Sequence, residues 1–159
     1  MTVKIVPVLS ICTVFTTALA AGAAAGFAAR ADDLGTAVYS GVNRLRQTCG
    51  VIGDDPRLTV AAQWHANDML ENGVDGHIGS DGSSPQARIA EAGYTRTGYT
   101  GEIVYWGTGS AATPSAALDL WMGSPAHRTI IRNCAFTAAG FATAWDGNKM
   151  TAVGDFAGP

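Results

Sequence analysis

The sequence predicts an α+β domain with a small antiparallel sheet that ends in a C-terminal β-hairpin. Two patterns carry this reading. Proline-based helix starts recur as far as Ser124, and the apolar period shifts to short strand-like runs near the C-terminus. No regular strand-helix-strand rhythm links the two regions, and this absence points to the α+β class.

Val38, Val42 and Leu45 recur at helical spacing with Asn43, Arg44 and Arg46 between them, so residues 35–48 read as an amphipathic helix ended by Cys49-Gly50. Asp54-Asp55-Pro56 supplies an N-cap and a first-turn proline. The helix it opens has Leu58, Ala62, His65 and Met69 on one face and stops at Gly73. Ser84-Pro85 starts a short helix ending near Gly93, and Thr113-Pro114 starts one with Leu118, Trp121 and Met122 on one side. A last helix runs from Ser124-Pro125 to Arg132. Residues 102–106, 141–145 and 150–156 read as strands, the last two joined by the hairpin signal Asp146-Gly147-Asn148.

The first 31 residues differ from the rest. After Lys4 an apolar run extends to Ala29, and Ala29-Arg30-Ala31 is a small-x-small cleavage pattern followed by the polar pair Asp32-Asp33. Residues 1–31 are therefore expected to be a signal peptide and residues 32–159 a single secreted domain, extracellular or held at the cell envelope. The same run, at more than the roughly 20 apolar residues that span a bilayer, is also long enough for an uncleaved anchor. Cleavage after Ala31 removes Lys4, Arg30 and Cys12. Eight basic side chains then face thirteen acidic ones, a balance of the wrong sign for a nucleic-acid binder. Cys49 and Cys134 remain in an oxidising compartment, and two cysteines allow one intramolecular bridge.

Any site built on imidazole draws on His65, His77 and His127. His65 sits on the apolar stripe of its helix and reads as a core histidine held by one or two hydrogen bonds. His77 lies in the glycine- and serine-rich loop 76–85, a setting with little reason to bury an imidazole for packing. His127 falls in the first turn of its helix, where the dipole disfavours protonation and keeps the ring neutral, as a metal ligand or general base requires.

His65 with Asp68-Met69, then 77–82 (His-Ile-Gly-Ser-Asp-Gly), Gly101-Glu102, 121–128 (Trp-Met-Gly-Ser-Pro-Ala-His-Arg) and Gly154-Asp155-Phe156 together resemble the bacterial branch of the CAP superfamily. This is the cysteine-rich secretory, antigen 5 and pathogenesis-related group with its SCP-like domain. The resemblance implies a three-layer α-β-α sandwich whose cleft carries His77, Glu102 and His127, with a divalent metal such as zinc as a cofactor on His77 and His127. Two neutral imidazoles, a carboxylate and a water form an open zinc arrangement, and the alternative places Glu102 outside the ligand sphere, orienting a histidine. The chain departs from the pattern of many animal and plant relatives at two positions. Ser124 stands where they place a second glutamate, and Ile103 follows Glu102 in place of asparagine. With one carboxylate fewer, a cation would be held less tightly, and a cleft kept without metal is the alternative.

The leading functional expectation is a monomeric, non-catalytic module for a small molecule, a lipid or sterol, or a cell-envelope component. The second is a metal-dependent hydrolase with Glu102 as general base, although no HExxH motif accompanies it. A serine hydrolase ranks last, because no GxSxG is present and Ser83, Ser84 and Ser124 read as turn or cap residues. A third class is an extracellular interaction protein that meets its partner through Tyr94, Tyr99, Tyr105 and Trp106, against which stands simple packing of Tyr105 and Trp106 in the sheet.

Overall fold

The computed structural model describes residues 18–95 and 98–159. Along the chain the elements are α1 (Ala18–Leu45), β1 (Gly53–Asp54), α2 (Pro56–Glu71), α3 (Pro85–Glu91), β2 (Thr100–Thr108), α4 (Pro114–Gly123), α5 (Pro125–Ile131), β3 (Ala138–Trp145) and β4 (Lys149–Ala157). The strands lie in the order β1-β3-β4-β2. β4 pairs antiparallel with both β2 and β3, whereas β1 runs parallel to β3, which makes the sheet mixed rather than wholly antiparallel. Two residues are too few to leave a period-two signal, and β1 is accordingly invisible in the sequence pattern.

The proline signals mark real helix starts. Asp55, Ser84 and Thr113 each accept a backbone N–H of the first turn on their side-chain oxygen, from Arg57, Ala87 and Ala116 respectively. Ser124 occupies the corresponding place before α5, but its hydroxyl makes no such bond.

Alternation along the strands divides the core between two faces. Ile103, Tyr105, Phe141, Met150, Ala152 and Phe156 turn toward α1, α4 and α5, where they meet Val38, Val42, Trp121 and Ile131. On the other face Ala142, Ala144 and Val153 meet Ala62, Ala66 and Met69 of α2. The result is the expected α-β-α sandwich. α2 lies so close to β3 that a Cβ on Gly140 would come 2.0 Å from the Thr59 nitrogen, so a residue without a side chain is required there.

Residues 18–31 continue α1 N-terminally. Phe27 meets the Trp145 ring edge-on at 5.5 Å, and the Thr143 hydroxyl donates to the Ala31 carbonyl at 2.5 Å. Among the α1 side chains that are described, the buried apolar ones, Leu34, Val38 and Val42, follow Ala31. Residues 1–17 of the expected export segment, with Lys4 and Cys12, lie outside the described residues, and no described helix is long and apolar enough to cross a membrane.

Arg46, expected on the polar side of the first helix, is 2% exposed. It ends α1 by turning inward, and its guanidinium donates to the carbonyls of Ile131 and Phe136 at 2.9 and 2.8 Å. These contacts tie the chain between α5 and β3 to the first helix. The Cys49–Cys134 disulfide, which is formed as expected, fastens the same connection covalently across 85 residues of sequence. Closing a loop of this length constrains the unfolded chain by about 4–5 kcal/mol in the entropic account. Cys49→Ser/Cys134→Ser should accordingly lower unfolding stability in urea by about 2–5 kcal/mol. A loss below 1 kcal/mol would show that Arg46 holds the connection without help.

Candidate functional site

β2 occupies one edge of the sheet, and the candidate side chains gather along it. The loop after α2 brings His77 to this edge, held by a network that starts on α2. Asp68 accepts the N–H of Ser80 at 2.8 Å and its hydroxyl at 2.5 Å, and Gly79 N–H donates to the Ser83 carbonyl at 2.9 Å. A Cβ on Gly79 would meet the side-chain oxygens of Ser83, Asp81 and Asp68 within 3.2 Å, so a larger residue would have to displace the groups that hold this loop.

Glu102 extends from β2 toward the α2/α3 side with 2% of its side chain exposed, and both its oxygens are engaged. His77 Nδ1–H donates to Oε1 at 2.7 Å, and Arg88 Nη2–H donates to Oε2 at 2.7 Å. Arg88, on α3, also donates to the Ser83 carbonyl at 2.9 Å and to the His77 carbonyl at 3.0 Å. One buried guanidinium therefore joins the His77 loop to Glu102. Read as a short helix alone, residues 85–93 assign Arg88 no role. The available signal was an arginine between Ala87 and Ile89 in a seven-residue helix, a pattern too brief to show which face is buried.

The hydrogen bond to Glu102, reinforced by its charge, raises the His77 pKa above the ordinary value, against burial and the opposing charge of Arg88. His127, on α5, behaves oppositely. Burial, and after it the nearby His77, hold its pKa below the usual value, and its Nδ1 is buried without a hydrogen-bond partner. His65 is fully buried, bonded through Nε2 to the Gly76 carbonyl at 2.8 Å, and burial holds its pKa below the ordinary value, in keeping with a core histidine.

His77 and His127 share one open cleft of about 590 Å³, whose walls are Val104, Tyr105, Trp106 and Leu120, with Asp75 and Gly76 at its rim. Trp106 and Leu120 are 45% and 50% exposed. Of the aromatics named as a partner surface, Tyr94 and Tyr105 are buried, whereas Tyr99 and Trp106 are exposed. Among the described residues, no group of three or more His, Cys, Asp or Glu side chains is placed to hold a metal ion. The donor set is two imidazoles, one protein ligand short of an open catalytic zinc site, because Glu102 is committed to His77 and Arg88.

An α-β-α sandwich with a histidine-glutamate pair at the sheet edge defines a cleft protein of the SCP type. The sequence profile of the cysteine-rich secretory protein family, CAP, matches residues 39–156, and the chain belongs to this family. An outer surface protein of Borrelia burgdorferi superposes with a TM-score of 0.65 at 23% identity, covering 76% of this chain and 88% of that one. An extracellular SCP-domain protein of Bacillus anthracis gives 0.66 at 20% identity, with 81% and 41% covered. A cysteine-rich secretory protein of Staphylococcus aureus gives 0.58 at 14% identity, with 81% and 39% covered. At these identities the likeness is one of fold, and in the last two the matched domain is a minor part of a longer chain. No curated protein sequence matches significantly.

Glu102→Gln removes the anion beside His77 and leaves only the depressing effects of burial and Arg88, so the His77 titration, followed by ring-proton NMR, should fall to about 6.5 or below. The sign for stability follows from the raised native value. The pairing contributes fully below about pH 6.5 and is lost as pH rises through the native pKa, so this part of the pH dependence should vanish in the variant. Because His77 is half-exposed, the effect on stability is small and the NMR shift is the decisive measurement.

Proposed function

We propose that this chain is a secreted, monomeric, non-catalytic binding module whose ligand lies along the β2 edge between His77 and His127. The supporting observation is that exposed apolar side chains and two imidazoles of opposite protonation tendency share one cleft. Such a combination suits an amphiphile, with its apolar part on Val104, Trp106 and Leu120 and a polar group at the histidines. Lipids, sterols and cell-envelope components have this character. Export is supported by the disulfide and by the neighbours described as outer surface and extracellular proteins.

A hydrolase reading with Glu102 as general base is less well supported, because a base must reach water, whereas Glu102 is buried and both its oxygens already accept hydrogen bonds from His77 and Arg88. Zinc on His77 and His127 is favoured only by the carboxylate-histidine pair, an arrangement that orients imidazole ligands.

Binding of a fluorescent fatty acid and a fluorescent sterol to the purified protein tests the main reading. Trp106→Ala and Leu120→Ser should each weaken binding about tenfold, the equivalent of about 1.4 kcal/mol and within the value of one buried apolar side chain. Affinity unchanged in both variants would remove the cleft from consideration. Calorimetric titration with Zn²⁺ of the wild type, His77→Ala and His127→Ala tests the metal reading, and equal weak binding by all three would end it. Turnover of peptide or ester substrates lost in Glu102→Gln would favour the hydrolase instead.

A further inference from the structure

Asp155 lies within the buried run of β4, fully enclosed and fixed in register directly opposite Glu102 on β2. The pleat turns both side chains to the α2/α3 face, the face on which Thr151 of β4 donates its hydroxyl to the Ala66 carbonyl of α2. Thr151 thus finds a partner, whereas neither carboxyl oxygen of Asp155 receives a hydrogen bond from any described group. The terminal nitrogens of Arg88 are committed to Glu102, Ser83 and His77, and its buried Nε makes no hydrogen bond to Asp155 or to any other described group. A carboxyl group without a donor of its own therefore faces a carboxylate across one strand pair. Ionised, it would place a second buried negative charge beside Glu102, with one guanidinium to serve both. Like charges in such a site cannot both ionise cheaply. A proton on Asp155 removes the conflict, because a protonated carboxyl is a donor and a carboxylate oxygen can accept two bonds.

We propose that Asp155 is a neutral carboxylic acid in the native protein, and that its O–H donates to Glu102 and holds that carboxylate on His77. Asp155 is then a positioning residue, acting on the cleft through Glu102. Burial, followed by the charge of Glu102, pushes its pKa well above the carboxylate range, with Arg88 opposing. The charged and titratable groups around the pair are Glu102 from β2 and Arg88 from α3, with His65 from α2 and His77 from the loop acting through Glu102. The proposal concerns the protein without ligand or metal and does not depend on which of them the cleft binds.

The full chain serves for the test. The carboxyl carbon-13 resonance of Asp155 should hold its protonated position between about pH 5 and pH 7, where an ordinary aspartate of pKa about 3.9 is fully ionised. Asp155→Asn keeps a donor at the same place and cannot ionise, so the His77 titration should be unchanged. A native pKa raised above the unfolded value costs stability progressively as pH rises above about 4, so the variant should have the higher denaturation midpoint at neutral pH and converge with wild type below about pH 4. A carboxylate resonance position at neutral pH, or a lowered His77 titration and a lower midpoint in Asp155→Asn, would overturn the proposal. If the variant does not fold, the wild-type resonance decides alone.

Discussion

Glu102 is buried among β2, α2 and α3, and an uncompensated carboxylate there would destabilise the domain by several kcal/mol. The Arg88–Glu102 ion pair resolves this, and much of the site's geometry follows from it. Arg88 is equally buried, so each partner requires the other. Because the same guanidinium also holds the carbonyls of His77 and Ser83, neutralising the strand and shaping the loop are a single event. Asp68 anchors the far side of that loop to α2, and His77 consequently stands over Glu102 in one orientation.

Sheet order explains why the cleft forms where it does. β4 is central and paired on both sides, so its residues are enclosed, whereas β2 has β4 on one side and the cleft on the other. The indole N–H of Trp121 donates to the Val104 carbonyl at 2.9 Å, which satisfies part of the β2 edge from α4. The same helix presents Leu120 outward, next to Trp106. The apolar wall and the histidines are thus brought together by helices on opposite faces meeting at an unpaired edge.

Local chemistry made most of the fold legible. Asp55-Pro56, Ser84-Pro85 and Thr113-Pro114 are short-range devices whose physics is complete within four residues, and each starts a helix as read. The hairpin around Asp146-Gly147-Asn148 is of the same kind, with Asn148 and Lys149 N–H groups donating to the Asp146 side chain. β1, Arg46 and Arg88 were not legible in this way. β1 exists only because its two residues meet Ala138 and Ala139, far away in sequence. Arg46 and Arg88 look like solvated charges until the carbonyls and carboxylate that receive them are brought near by folding. In the site, His77, Glu102 and His127 could be named from their motifs. That Glu102 is spent on His77 and Arg88 could not, because the decisive contact lies between a strand and a short helix.

The two histidines acquire opposite characters, His77 chiefly from its neighbour Glu102 and His127 chiefly from burial. Glu102 raises the His77 pKa, while burial and then the proximity of His77 lower that of His127. The cleft therefore holds two imidazoles of different basicity, His77 the higher and His127 the lower. A dianionic cleft made of two free glutamates would recruit a cation, but here Ser124 is neutral and Glu102 is already balanced by Arg88. What remains accessible is the outer edge of His77, the ring of His127 and the faces of Trp106 and Leu120. That surface is mostly apolar and carries one free carboxylate, Asp75 at its rim, so apolar contact outweighs charge in what it offers.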